Sequence, residues 1–278
     1  MAKLKIAAST YLNSAPLVYS FLKGDLKNTC EFLGDTAPAR CADLLRQNLV
    51  DVALIPVIEY QSIKEICLIP GIAIAAKSLV QSVILITKCP INKLKTVALD
   101  ISSRTSAALV QIILEKFYQI KPNYCTSSPN LTEMLKQNDA ALIIGDPAIK
   151  IRYEHNQTYQ IYDLAQEWRK FTGLPFVFAC WAVNKNILPW SDNEPDLSGL
   201  NITSLFIKAK EQGLNMLEEI VKDYSKDLEI EDSLLLEYLT RNVNYDLDKE
   251  NLAGLELFYK LAFECGLIQE NCLIEFIK

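Results

Sequence analysis

Hydrophobic positions along the first 183 residues follow two alternating spacings. Seven short, nearly continuous apolar runs recur: LKIAAS (4–9), TCEFL (29–33), VDVALI (50–55), QSVILIT (81–87), TVALD (96–100), AALIIG (140–145) and FVFACWAV (176–183). Runs of this length, rich in Val, Ile and Ala, predict buried strands. Between them, PARCADLLRQN, SRTSAALVQIILEKFYQI, NLTEMLKQN and YDLAQEWRKFTG place apolar residues three or four apart, the spacing of one helix face. Strands alternating with helices predict parallel sheets joined by crossover helices. Beyond Pro189 the pattern turns almost wholly helical, as in LAGLELFYKLAFECGL.

The predicted fold is therefore α/β, with two lobes and a helical C-terminal region. Residues near 3–8, 28–33 and 51–55 build the first sheet. Polar KCPINKLK (Lys88–Lys95) breaks the pattern before a new strand and a long helix, and FVFACWAV leads back to the first lobe. The expected division is 1–87 with 180–278 for lobe I and 88–179 for lobe II, with crossings near 87 and 178. Two crossings imply a hinged cleft, with ligand held where strands end and helix amides are unpaired.

Composition narrows the class. Half of the 278 residues are hydrophobic and 22% are charged, which suits a globular core. Apolar runs such as LVQSVILIT fall far short of the ~20 residues that span a bilayer, and MAKLKIAASTYLNSAP does not read as a secretory leader. The expectation is a cytoplasmic protein with no membrane partner. Eight cysteines without a CxxC pair indicate neither a disulfide framework nor a zinc site. The net charge of −6 divides into +5 over residues 1–188 and −11 over the remainder. No clustered basic stripe suggests nucleic acid, but the front portion leaves room for a small anion.

Four segments fall at strand-to-helix corners. In STYLNSAPL, Tyr11, Asn13 and Ser14 stand before Pro16, so Asn13 or Ser14 either caps the next helix or faces a ligand. In ALIPVIEY, a strand runs into Pro56 and Glu59, which read as a helix start with a first-turn acid. DISSRTSAAL carries the strongest signal: Ser102, Ser103, Arg104, Thr105 and Ser106 crowd one helix start. One hydroxyl would suffice as a cap; the surplus, with a guanidinium beside it, points to carboxylate binding. In IIGDPA, Gly145 allows close backbone approach and Asp146 caps a helix or meets a ligand hydroxyl. Ser82 adds a polar residue inside an apolar strand near the hinge. With one histidine (His155) and no GxGxxG, Walker or HExxH motif, histidine-based triads and metal sites are excluded.

Taken in order, YLNSAPL, VDVALIPVIEY, QSVILIT, DISSRTSAAL, AALIIGDPA and YDLAQEWRKFTGLPFVFACWAV resemble the chorismate dehydratase family of the futalosine route to menaquinone, over roughly residues 3–185. The resemblance implies a type II periplasmic-binding-protein fold used as a cytoplasmic hydro-lyase that needs no cofactor and no metal. It implies loss of water from chorismate to give 3-[(1-carboxyvinyl)oxy]benzoate. Asn13 and Ser82 match the family's active-site positions. The remaining substrate contacts are expected from Tyr11, Ser14, Pro56, Ser103, Arg104, Thr105, Ser106, Gly145, Asp146 and Phe178, with Arg104 as a charge partner. Phe176 or Phe178 would face the ring, and Trp168, Arg169 and Lys170 form a helix face near the cleft. Asp146, Glu59 or the substrate's own carboxylate is left as the base, the last preferred. A non-catalytic carboxylate binder and the 1,4-dihydroxy-6-naphthoate synthase step are the alternatives, and a homodimer is compatible with either.

Overall fold

A computed structural model describes residues 3–35, 37–154, 159–187 and 202–277. His155 and the segment around Pro189 lie outside the described residues. Among the described residues ten strands form two five-stranded sheets. The first has the order β2-β1-β3-β10-β4, from β1 (Leu4–Ser9), β2 (Cys30–Asp35), β3 (Val52–Pro56), β4 (Ile66–Ala76) and β10 (Phe176–Asn184). The second has the order β7-β6-β8-β5-β9, from β5 (Val83–Thr87), β6 (Thr96–Asp100), β7 (Asn123–Ser127), β8 (Ala140–Ile144) and β9 (Gln160–Asp163).

Both sheets are mixed rather than parallel. β1 pairs parallel with β2 and β3, and β6 with β7 and β8. The strand that arrives from the other lobe reverses direction: β10 runs antiparallel to β3 and β4, and β5 antiparallel to β8 and β9. A strand entering from the neighbouring lobe needs no crossover helix, so nothing forces it parallel. The pairing also moves the crossings. Val83–Thr87 belongs to the second sheet, so the first crossing is at 77–82 and not near 87; Phe176 already belongs to the first, so the return is at 173–175.

Three strands escaped the apolar-run pattern, each for a visible reason. β4 is interrupted by Pro70 and Gly71, where its pairing with β10 shifts register. β7 is an edge strand with mostly exposed positions, and β9 spans only four residues. Helices α1 (Ala15–Leu22), α2 (Pro38–Arg46), α3 (Arg104–Ile112), α4 (Leu131–Gln137), α5 (Gly145–Tyr153) and α6 (Leu164–Thr172) follow their strands. Two of these helices are capped by side chains: Asn130 accepts the Glu133 amide and Asp163 the Gln166 amide.

The C-terminal region contributes α7 (Ile202–Asn215), α8 (Leu217–Leu228), α9 (Asp232–Glu237), a π-helical turn (Tyr238–Asn242) and α10 (Lys249–Glu264). α7 packs on α1 at very short range, because Gly213 lies against the Pro16 carbonyl; a β-carbon there would sit 1.7 Å from that oxygen. The charge asymmetry of the sequence has a tertiary counterpart. Acidic residues of this region pair with basic residues of the front portion: Asp223 with Lys23, Glu229 with Lys150, Asp248 with Lys77, Glu264 with Lys116, and Glu250 with both Lys77 and Arg169. Such surface pairs add little stability each, so burial of Phe206, Tyr238, Phe258 and Tyr259 holds the region in place. Trp168 joins that core: it is fully buried against Phe176 and Phe258, and its indole N–H donates to the Pro175 carbonyl at 3.1 Å.

Candidate active site

The two sheets aim their carboxyl ends at one cleft between the lobes. β1, β3 and β8 end there at Ser9, Pro56 and Ile144, and α2, α3 and α5 begin there, with Pro38, Thr105 and Gly145 on the wall. Unpaired first-turn amides and the positive ends of three helices therefore converge on one volume. Both lobes contribute to it. None of the described residues that line it carries a formal charge.

Tyr11, Asn13, Pro56, Ser103, Thr105, Ser106, Gly145 and Phe178 all line the cleft. The Asn13 amide and the Ser103 and Ser106 hydroxyls have no hydrogen-bond partner among the described residues. Buried polar groups are ordinarily paired, so Ser103 and Ser106, each over 90% buried, stand ready for a ligand. Thr105 is partly used: its Oγ1 accepts the Ile58 amide at 3.3 Å across the cleft. Phe178 forms an apolar wall, while Phe176 lies behind it in the core, 4.8 Å away between ring centres.

Other expected contacts are placed elsewhere. Ser14 is fully buried in the β1–α1 connection, where its hydroxyl donates to the Ser9 carbonyl at 2.7 Å. Arg104 turns out of the cleft. Its guanidinium makes two 2.9 Å bonds to Asp43 and approaches Glu59 at 3.1 Å, across the lobe boundary. Those bonds hold the Asp43 carboxyl below the usual range. The sequence places this guanidinium at a helix start as an anion clamp, but its length lets it reach the opposite lobe's carboxylates instead. Glu59 is engaged by Arg104 and Arg46 and does not line the cleft, which removes it as a base. Arg169 and Lys170 also face away, toward Glu250 and toward Glu167.

Arg104 is one of several contacts that draw the lobes together. The Leu12 amide donates to Asp146 Oδ1 at 2.9 Å, and the Ala39 amide to the Ser102 carbonyl at 3.3 Å. The Tyr11 ring lies directly over the Gly145 backbone. The cleft is thus seen in its closed form. Ser82, expected in the site, does not itself line the cleft: it sits fully buried in the first crossing, one residue before the wall residue Val83, and its carbonyl accepts the Gly145 amide at 2.7 Å.

Asp146 lies beside the cleft without lining it. Burial raises its carboxyl to about 6, against the opposing pull of the Leu12 amide. A folded-state pKa above the unfolded one stabilises the protein below about pH 4 and gives that contribution up as pH rises through about 6. The melting temperature is expected to fall between pH 4 and pH 6 by more in the parent than in Asp146→Asn, which keeps an acceptor for the Leu12 amide. Parallel melting curves for the two proteins over that interval would refute this.

Sequence reasoning missed the contributions of Pro38, Leu54, Ile74 and Ala179 to the wall. Pro38 was legible as a helix start, but the others are strand positions whose facing depends on sheet pairing. Among the described residues no group of three His, Cys, Asp or Glu side chains is arranged for a metal ion, and no helix is long and apolar enough to cross a membrane.

Two mixed sheets of matching strand order, joined by two crossings and closed over a cleft, define a protein of the periplasmic-binding-protein fold. The periplasmic aliphatic sulphonate binding protein SsuA from Escherichia coli superposes with a TM-score of 0.65, covering 98% of this chain and 90% of its own at 15% identity. The profile described as menaquinone biosynthesis matches residues 4–264, and the chain belongs to that family. It is 29% identical to the chorismate dehydratase of Thermus thermophilus over 263 residues, 89% of this chain and 91% of that protein. It is 28% identical to the chorismate dehydratase of Campylobacter jejuni over 166 residues, 58% of this chain and 66% of that protein. Both the family and the fold expected from the sequence are borne out.

Proposed function

We propose that this protein is a chorismate dehydratase, a hydro-lyase that acts without a cofactor. The observation that supports the reading best is the closed cleft lined by neutral donors: Asn13, Ser103 and Ser106 without internal partners, at converging helix starts, opposite the apolar Phe178. Chorismate is a small dianion with a ring to pack and two carboxylates to hold. Neutral donors and helix termini can bind such a dianion without neutralising it.

In this reading the reaction begins with removal of the C3 proton. The electron pair moves through the ring alkene toward the C1 carboxylate, and the resulting dienolate expels the C4 hydroxyl as the ring becomes aromatic. Charge therefore grows on the C1 carboxylate. The Ser103–Ser106 helix start is assigned to that carboxylate, where fixed amide and hydroxyl donors strengthen as charge develops. Asn13 and Ser82 orient the carboxyvinyl carboxylate and the hydroxyl. That carboxylate is the assigned base, because the cleft wall carries no ionisable carboxyl and Glu59 is held by arginines. Closure of the lobes excludes water from the dienolate.

Purified protein incubated with chorismate is expected to release 3-[(1-carboxyvinyl)oxy]benzoate without added metal or cofactor, followed by the absorbance of the new benzoate and by mass. Tight binding of chorismate with no loss of water would instead identify a non-catalytic binder.

A further inference from the structure

The first crossing is held in an unusual backbone state. Gln81, the residue before Ser82, has φ +67, in the left-handed region that non-glycine residues seldom adopt. Such strain persists only where the surroundings over-determine it, and it clusters at functional sites. Here two elements do so. Asp163, at the end of β9, accepts the Val80 amide at 3.2 Å and the Gln81 amide at 2.7 Å. The π-helical turn Tyr238–Asn242 grips the same segment from the other side: Asn242 donates to the Leu79 carbonyl at 3.0 Å and accepts from the Gln81 side-chain amide at 2.8 Å. π-Helical turns are rare and are themselves concentrated at functional sites.

The same turn begins with Tyr238, whose hydroxyl donates to Ser82 Oγ at 2.8 Å. Both side chains are completely buried, and neither hydroxyl has another partner among the described residues. Among the described residues the Tyr238 proton has only Ser82 to go to. Its donation occupies one lone pair of Ser82 Oγ and leaves the serine's own proton for an acceptor elsewhere. Ser82 stands just behind the cleft wall, next to the wall residue Val83 and bonded through its carbonyl to the wall residue Gly145.

We propose that Tyr238 is a positioning residue: the C-terminal helical region completes the active site by fixing Ser82 as a hydrogen-bond donor to the substrate. The inference rests on the dehydratase reading and on the role of Ser82 within it. It assigns the acidic helical region a part in catalysis as well as in packing.

Four proteins test it: the parent, Tyr238→Phe, Ser82→Ala and the double variant. Circular dichroism first establishes that each is folded. Tyr238→Phe is expected to lower kcat about 10- to 100-fold with KM changed less than about threefold, the loss of one oriented hydrogen bond. The double variant should then be no slower than Ser82→Ala alone, because the tyrosine acts only through the serine. Losses that multiply, or a Tyr238→Phe enzyme with the parent's kcat beside an impaired Ser82→Ala, would overturn the inference and leave the dehydratase reading standing. If the parent forms no product, that reading fails, and the same cycle is measured as the affinity for chorismate. Non-additive affinity losses would still support Tyr238, whereas additive losses or no binding by the parent would refute it.

Discussion

Asn13→Ala is expected to lower kcat by about 10³-fold, a loss of about 4 kcal/mol of transition-state stabilisation. The fold should survive the change. Asn13 lines the cleft, and its amide makes no hydrogen bond to the rest of the described protein, so truncation leaves no buried partner stranded. It precedes α1 without capping it: the residue at the cap position is Ser14, whose own hydroxyl bonds back to the loop. Pro16 and the buried face of α1 hold the turn independently of residue 13. The melting temperature should therefore shift by no more than about 2 °C, on the scale of a sub-kcal/mol change in a chain this long. Steady-state rates with chorismate and a thermal melt check both halves. A variant with near-normal turnover would remove Asn13 from the chemistry, and one that melts far lower would make it a structural residue.

The second large effect is expected at Gly145, the first residue of α5. Its φ of +66 lies in the left-handed region, where a β-carbon costs about 1–2 kcal/mol. An alanine there would also place its β-carbon 2.7 Å from two carbons of the Tyr11 ring. Tyr11 and Gly145 belong to opposite lobes, so the clash falls on the closed state alone and wedges the cleft open. Destabilising closure by about 2–3 kcal/mol lowers kcat/KM by about 30- to 150-fold, because only the closed population is competent. Small-angle scattering should show Gly145→Ala more extended than the parent at saturating chorismate. Undiminished kcat/KM in a well-folded Gly145→Ala enzyme would show that Tyr11 moves aside at little cost.

The assigned roles differ in how they could be read. Ser103, Thr105 and Ser106 were legible because four hydroxyls at one helix start exceed what capping requires, and all three do face the cleft. Arg104 belongs to the same cluster but, unlike the hydroxyls, turns away from the cleft to Asp43 and Glu59. A flexible side chain can satisfy a carboxylate on either side, and the location of Asp43 and Glu59 beyond the lobe boundary is invisible in the linear chain. Tyr238 carried no signal at all. It lies 156 residues from Ser82, in a helical stretch where one more aromatic among apolar positions reads as core.

By itself the sequence determined the alternation of strands and helices, the two-lobed α/β plan and the polar corners that end on the cleft. These are local properties: hydrophobic spacing selects strand or helix, and small polar residues collect where helix amides lack partners. The tertiary structure alone decided which strands run antiparallel, where the chain crosses between lobes, that Arg104 and Glu59 pair with each other's lobe, and that the C-terminal region reaches Ser82. Each of these depends on contacts between residues far apart in the chain, and such contacts exist only once the lobes and the helical region have packed.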